Sequence, residues 1–327
     1  MNKIVLKTPA RLHFGLLDMN GSLGRIDGGI GLALDRPYTL IEANEAPTVQ
    51  VKCAQEPAFS ERLQTAVEKV CQHYQFPGAS VNILERQRPH AGLGSATQTL
   101  VGAAMAVCKL YEREKPALEL ARIVGRGGTS GIGIAAIQSG GFILDGGHQF
   151  QRGDNSKQGF SPSSASAGVK PPPVIARYDF PDWDILVVIP LGEGASGHKE
   201  QDLFSEACPV SLGDVRQMCH ILLMQMLPAV LEKDLETFGQ AMEDFQLLGF
   251  KRFELQTQPQ LIRDCLTFLK EEGGIGVGMS SWGPGVYAFG DNLAHLQQKI
   301  DIWLAERSGG ETYLTKANNI GMEVVAL

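Results

Sequence analysis

Positive charge is scarce in this chain. Its 327 residues carry 29 Lys+Arg against 36 Asp+Glu, a formal net charge of −7. That balance excludes the broad basic face by which a protein binds nucleic acid or an anionic membrane surface. An anionic ligand must therefore be held locally, by a few cations and backbone amides. Long apolar runs are also missing. The longest, around Ile185 to Leu191, falls far short of the ~18 residues that read as a membrane span. Met1 to Leu17 alternates apolar residues with Lys3, Lys7 and Arg11 and lacks the apolar stretch of an export signal. Paired cysteine motifs are absent too. Cys53, Cys71, Cys108, Cys208, Cys219 and Cys265 are scattered, with no CxxC and no histidine at ligand spacing. A disulfide framework and a structural zinc site are thereby excluded, and reduced thiols in a cytoplasmic protein are expected. Nor does GxxxxGK[ST] occur, so no Walker-type phosphate loop is present.

What the chain has in excess is glycine, 38 residues gathered in short clusters, and its 43% hydrophobic content excludes a disordered chain. The length allows about two domains. Ile4–Thr8 and Ala10–Leu17 alternate as strands, and Tyr38–Ala43 continues the pattern after a glycine-rich turn at Gly28–Leu32. Ala58–Tyr74 is an amphipathic helix, Ser80–Leu84 a strand, Ala96–Tyr111 a helix, and Pro116–Val124 a helix opened by proline. A strand at Gly141–Asp145 ends in Gly146-Gly147. Gln151–Pro173 then turns to Gly, Ser, Asn and Lys and closes on three prolines, which predicts a long loop or lid and a domain boundary. An N-terminal domain over 1–170 and a C-terminal domain over 171–327 follow. Beyond the boundary come a strand at Trp183–Ile189 and helices at Lys199–Ala207, Leu212–Leu227, Lys233–Leu248 and Pro259–Glu271. Strands at Ile275–Met279 and Gly285–Phe289, a helix at Asn292–Ser308 and a strand at Glu311–Leu314 complete a ferredoxin-like split βαβ order. The fold class is α+β, with the ligand in the cleft between two domains.

Three constellations carry chemistry. Two-residue alternation puts Arg11, His13 and Gly15 on one face of the first strand and Leu12, Phe14 and Leu16 on the other. Asp18, Arg25, Asp27, Gly28 and Gly29 continue into the glycine-rich turn, which reads as the rim of a site. The sharpest signal is Pro89-His90-Ala91-Gly92-Leu93-Gly94-Ser95-Ala96-Thr97, leading directly into a helix. Its glycines permit close backbone approach, Ser95 or Thr97 can cap the helix or meet a ligand, and the helix N-terminus favours an anion. The plainer reading is a glycine turn with a serine cap. Met279 to Pro284 sets polar and glycine residues between two strands, as a ligand-facing loop does. Lys199 at a helix start can meet a phosphate, and His148 after Gly146-Gly147 reads as a turn residue. Gly131-Ile132-Gly133-Ile134-Ala135-Ala136 mimics a dinucleotide fingerprint without the preceding strand such a motif needs.

Ala10-Arg11-Leu12-His13-Phe14-Gly15-Leu16, Gly28-Gly29-Ile30-Gly31-Leu32, Gly92-Leu93-Gly94-Ser95 and Gly274–Phe289 resemble the motif regions of the GHMP superfamily, which includes galactokinase, homoserine kinase and mevalonate kinase. Gly127–Gly133, Gly141–His148 and Pro171-Pro172-Pro173 ahead of Tyr178-Asp179-Phe180-Pro181 are more similar to one branch, the β-ribofuranosylaminobenzene 5'-phosphate synthases. This resemblance spans nearly the whole chain. It implies an N-terminal half of the ribosomal S5 domain 2 type, a ferredoxin-like C-terminal half, and a homodimer. It also implies a pentosyltransferase of tetrahydromethanopterin biosynthesis. Phosphoribosyl pyrophosphate and 4-aminobenzoate, or a 4-hydroxybenzoate-type acceptor, would give an aryl C-riboside phosphate, pyrophosphate and carbon dioxide, with Mg2+ as cofactor. Within that chemistry Arg11, His13 and Asp27 are assigned to catalysis, with Asp27 also holding the metal. Gly92, Leu93, Gly94, Ser95, Ala96, Thr97, Arg126 and Ser130 are assigned to phosphate. Arg25, Gly28, Gly29, Ser280, Ser281 and Trp282 are assigned to the remainder of the substrate. Kinases of the superfamily often place a catalytic aspartate in an SGxxD segment, where Ser130-Gly131-Ile132-Gly133-Ile134 offers Ile134. A kinase and a non-catalytic small-molecule binder remain the alternatives.

Overall fold

The computed structural model describes residues 3–326 except 55, 154–155, 163–165, 167 and 193–197, and the side chains of 198–201 are also outside it. The first part of the chain forms β1 (Lys3–Asp18), β2 (Arg25–Glu45), β3 (Gln50–Cys53), α1 (Ser60–Tyr74), β4 (Ala79–Glu85), α2 (Ser95–Leu110), α3 (Ala117–Ile123), α4 (Ile132–Ser139), β5 (Phe142–Asp145), β6 (His148–Gln149) and β7 (Val174–Tyr178). There follow β8 (Asp184–Pro190), α5 (His198–Ala207), α6 (Leu212–Ile221), α7 (Leu227–Glu232), α8 (Leu235–Gln246), α9 (Gly249–Gln256) and α10 (Gln260–Glu271). The chain ends with β9 (Ile275–Met279), β10 (Val286–Gly290), α11 (Ala294–Ala305), β11 (Gly310–Thr315) and β12 (Glu323–Val324).

The long β1–β2 hairpin organises the first sheet, whose order is β12-β1-β2-β4-β3, with β5 and β6 also on β2 and β7 on β5. Residues past 170 thus return to this sheet, as β7 and as β12. The glycine-rich turn expected at Gly28–Leu32 is continuous strand instead. A Cβ on Gly29 would lie 2.6 Å from Asp145 Oδ2 and 2.7 Å from Ser130 Oγ, and one on Gly31 would lie 2.3 Å from the Leu12 carbonyl oxygen. These glycines mark close approach of neighbouring segments, not a reversal of the chain. The second sheet has the order β11-β8-β10-β9, with every pair antiparallel. Numbered along the chain that is 4-1-3-2, the ferredoxin-like arrangement.

Helix α4 escapes the sequence reading because Ile132–Ile137 is buried on all sides and shows no amphipathic stripe. The helix expected to stop at Leu227 runs on to Glu232 through a π-helical turn at Leu222–Met226. Pro228 stands directly after that π-helical turn, where the i→i+4 ladder is already interrupted. The helix expected over Lys233–Leu248 shortens to α8, because Lys233 adopts a left-handed conformation and Asp234 caps Thr237.

Helices α1–α4 cover one face of the first sheet with Leu63, Val67, Val101 and Leu120. Between the two sheets lies an aromatic core of Phe14, Phe142, Phe180, Phe238, Tyr287 and Phe289. Phe14 meets Tyr287 at 5.3 Å and Phe238 meets Phe289 at 5.2 Å between ring centroids, both edge-on. Burial of each such ring contributes roughly 1.5–3 kcal/mol. The register of β1 shifts between His13 and Gly15, and this bulge sends Leu16 away from the aromatic core into a separate cluster with Phe204, Phe250 and Trp282. Trp282, assigned above to the substrate, belongs to this cluster. Its ring packs against Phe250 at 5.4 Å and Phe204 at 6.1 Å, with 6% of the residue exposed.

Candidate active site at the junction of the sheets

Residues of three segments are stitched together at the end of α2. The Arg11 N–H donates to the Leu93 carbonyl at 3.1 Å, and the Arg11 guanidinium donates to the Gly92 carbonyl. Ser280 joins the two halves of the protein: its hydroxyl donates to the Gly92 carbonyl at 2.7 Å and accepts the His13 N–H at 3.0 Å. The Ser281 N–H donates to the His13 carbonyl at 2.9 Å, and the Gly285 N–H donates to the Ala91 carbonyl at 3.2 Å. Gly92 allows this closure, since a Cβ there would stand 2.2 Å from the Ser280 carbonyl oxygen. The expected neighbours Arg11, His13, Gly92, Leu93, Gly94, Ser95, Ser280 and Ser281 are thus brought together.

No side chain caps α2. Its N-cap is Gly94 in a left-handed conformation, and neither Ser95 nor Thr97 serves as the cap. Thr97 instead accepts from Arg126 Nε at 3.0 Å and Nη2 at 2.9 Å, which places a second guanidinium beside the first turn, where Ala96 also lies. The first-turn amides, Arg11 and Arg126 form a cationic corner whose donors suit an anion. Burial pulls the Arg11 guanidinium down to about 10, helped by Arg126, so it stays charged at neutral pH.

The sequence reading missed the third cation. Lys251, on α9, is fully buried; it donates to the Ser281 carbonyl at 2.8 Å and pairs with Glu254 at 3.0 Å. Burial draws the lysine down and the carboxyl up, while each partner's charge resists. Burial, then Arg11 and Lys251, hold His13 well below 6.5. The imidazole is neutral at pH 7 and resists taking a proton. The linkage to stability has a definite sign. Below its ordinary value near 6.5 the unfolded chain takes a proton that folded His13 refuses, so stability present above that pH is lost on acidification. Melting temperature should fall from pH 7 to about pH 5 less steeply in His13→Gln than in the parent protein.

Gly94 itself admits no side chain easily. Its φ is +85°, and a Cβ would meet Arg11 Cγ and Nε at 3.3 Å. Gly94→Val should lose roughly 1–2 kcal/mol of stability from the left-handed backbone alone. By displacing Arg11 it should also weaken anion binding by roughly 1.5–3 kcal/mol, the worth of one hydrogen bond to a charged group. Thermal melts and calorimetry with pyrophosphate read the two effects separately.

Asp27, Arg25, Gly28, Gly29 and Ser130 form a different assembly. Asp27 has φ +70° and is 1% exposed; it accepts from Lys157 Nζ at 3.1 and 3.2 Å and lies 2.5 Å from His148 Nδ1. Both carboxylate oxygens therefore face cationic or N–H partners. Magnesium needs open oxygen ligands in near-octahedral array, and the residues around Asp27 do not fit it. Among the described residues no group of three His, Cys, Asp or Glu is placed to hold a metal. Arg25 Nη1 donates to the carbonyls of Gly146 at 2.7 Å and Gly147 at 2.8 Å. Ser130 donates to Asp145 Oδ2 at 3.3 Å and accepts the Ile132 N–H at 3.2 Å. Asp145 is the carboxylate nearest a kinase base position, but it is fully buried and receives the N–H groups of Gly131 and Gly147 at 2.8 and 2.9 Å. Ile134 lies in the core under α2. Lys199 lies outside the described side chains.

This two-half architecture, with a capless helix meeting a cationic corner, is the GHMP kinase class. Residues 61–141 match the family described as GHMP kinases N terminal domain, and residues 226–307 match GHMP kinases C terminal. The phosphomevalonate kinase of Streptococcus pneumoniae shares the fold at a TM-score of 0.72 with 14% identity, over 99% of this chain and 100% of that one. Two archaeal proteins are similar in sequence throughout. The beta-ribofuranosylphenol 5'-phosphate synthase of Methanocaldococcus jannaschii is 42% identical over 98% of this chain and 100% of its own, and that of Archaeoglobus fulgidus is 44% identical over 98% of both. The chain belongs to the beta-ribofuranosylphenol 5'-phosphate synthase family.

Proposed function

We propose that the protein is an enzyme joining C1 of phosphoribosyl pyrophosphate to the carboxylate-bearing ring carbon of 4-hydroxybenzoate. The products are β-ribofuranosylphenol 5'-phosphate, pyrophosphate and carbon dioxide. The relatives' names specify a phenol, which puts the hydroxy acceptor ahead of 4-aminobenzoate. The observation that carries the reading is the placement of Arg11 and Arg126 at the open end of α2, with Lys251 and neutral His13 close to Arg11, in a chain whose overall charge is −7.

In this scheme the α2 amides, Arg11 and Arg126 hold the pyrophosphate as the C1–O bond breaks, and their fixed charges meet the charge that develops on it. The acceptor reacts as its phenolate, its proton having passed to solvent, and Arg11 and Lys251 favour that electron-rich ring beside neutral His13. The ring carbon bonds to C1, giving a dienone; loss of carbon dioxide returns its electron pair to the ring, and the phenolate so formed takes a proton from solvent. Magnesium enters on the pyrophosphate oxygens as part of the substrate. Ile134 stands where kinases of the superfamily often place their catalytic aspartate, which speaks against the kinase reading. Six free cysteines among the described residues support a reducing, cytoplasmic setting, and the family resemblance supports a homodimer. Among the described residues no helix is long and apolar enough to cross a membrane.

The test is direct. With phosphoribosyl pyrophosphate, magnesium and carboxyl-labelled 4-hydroxybenzoate, labelled carbon dioxide and pyrophosphate should appear in equal amounts, and faster than with 4-aminobenzoate. Release of ADP coupled to a phosphorylated alcohol would establish the kinase reading in its place.

A further inference from the structure

The assembly around Asp27 is buried, charged and unused by the scheme above, yet it reaches the residue next to Arg126 through the Gly127 carbonyl. His148 is 4% exposed and sits between two acceptors, with Nδ1 2.5 Å from Asp27 Oδ2 and Nε2 3.0 Å from the Gly127 carbonyl oxygen. A carbonyl oxygen can only accept, so Nε2 carries a hydrogen. The Gly127 carbonyl that receives it belongs to the Gly127–Gly128 peptide, one residue beyond Arg126, whose guanidinium donates to Thr97 in the first turn of α2. On the far side, Lys157 is 2% exposed; it donates to both oxygens of Asp27 and to the Ser161 carbonyl at 3.0 Å. The backbone here has little freedom. Gly127 has φ +94°, and a Cβ on it would stand 2.7 Å from Ile134 Cδ1 and 2.8 Å from Pro171 Cβ.

We propose that Lys157, Asp27 and His148 form a buried positioning relay that fixes the Gly127 peptide and so sets Arg126 against the phosphate-binding end of α2. These residues touch neither substrate nor metal. Asp27 orients the imidazole, the imidazole holds the Gly127 carbonyl, and the confined Gly127 backbone carries that constraint to the adjoining Arg126. Lys157 supplies the balancing charge and ties the segment after β6 into the same arrangement. The relay rests on the reading that Arg126 faces a phosphate group, and it adds residues that the phosphate loop alone does not indicate.

The experiment is binding of magnesium pyrophosphate by calorimetry to the full chain, in the parent and with Arg126→Ala, each with and without His148→Phe. Phenylalanine keeps the ring volume and removes both hydrogen bonds. His148→Phe should weaken binding by about tenfold or more in the parent, the loss of a charge-assisted contact. It should change binding by less than about twofold once Arg126 is gone, because coupled residues are not additive. His148→Gln, which keeps a donor toward Gly127, should recover part of the loss, and the KM for phosphoribosyl pyrophosphate should rise more than that for the acceptor. Equal weakening with and without Arg126, or equal rises in both KM values, overturns the relay. Should His148→Phe fail to fold, Lys157→Gln is put through the same comparison, and additivity there overturns it equally. Absence of pyrophosphate binding in the parent removes the phosphate site itself, an outcome distinct from additivity.

Discussion

Replacing Asp27 by asparagine should destabilise the protein by about 3–5 kcal/mol, the usual result of leaving a buried charge without its partner. The magnesium requirement of the folded fraction should stay unchanged. Lys157 and His148 would face an amide in place of a carboxylate, at a point where 1% exposure allows no water to compensate. Urea denaturation gives the loss of stability, and a magnesium titration of initial rate gives the second quantity. A variant of full stability with a raised magnesium requirement would restore Asp27 as a metal ligand.

Lys251→Met should be comparably severe, again about 3–5 kcal/mol, because Glu254 would remain buried and unpaired. The double variant Lys251→Met with Glu254→Leu should regain most of that stability, since apolar replacement of a whole buried pair is often neutral or favourable. Turnover should not return with it. Lys251 also holds the Ser281 carbonyl and lends positive charge to the surroundings of His13, and neither is supplied by a methionine. Denaturant midpoints and kcat measured on both variants separate the two roles. Recovery of kcat in the double variant would reduce the pair to a structural element.

Much of the site was open to sequence reasoning because its chemistry lies on regular periods. Alternation along β1 puts Arg11 and His13 together, and the 92–97 loop announces the end of α2. The order of strands and helices after Trp183 foretold the second sheet. What escaped depends on partners remote in the chain. Lys251 and Glu254, three apart on a short helix, look in sequence like a solvated surface pair; only the approach of β1 and the 280–282 loop makes them interior. His148 follows two glycines and passes for a turn residue until Asp27 comes to it from 121 positions earlier. The Gly28–Leu32 cluster misled in the other direction. Local composition cannot distinguish a glycine that bends the chain from one that makes room for Asp145 and Ile132.

The Ser280 hydroxyl, bonded to β1 on one side and to the loop before α2 on the other, bears on how the site comes into being. His13 takes its place only when residues from the last sixth of the chain have arrived, and Lys251 comes from the last quarter. A fragment ending at 170 would leave Phe14 and Phe142 facing solvent and would lack β7 and β12 of its own sheet. During synthesis, therefore, the early strands wait incomplete. The corner of Arg11, Arg126 and the α2 amides is drawn wholly from the early part of the chain, so the late arrival of Lys251 and Ser280 completes the surroundings of His13 and not that corner itself.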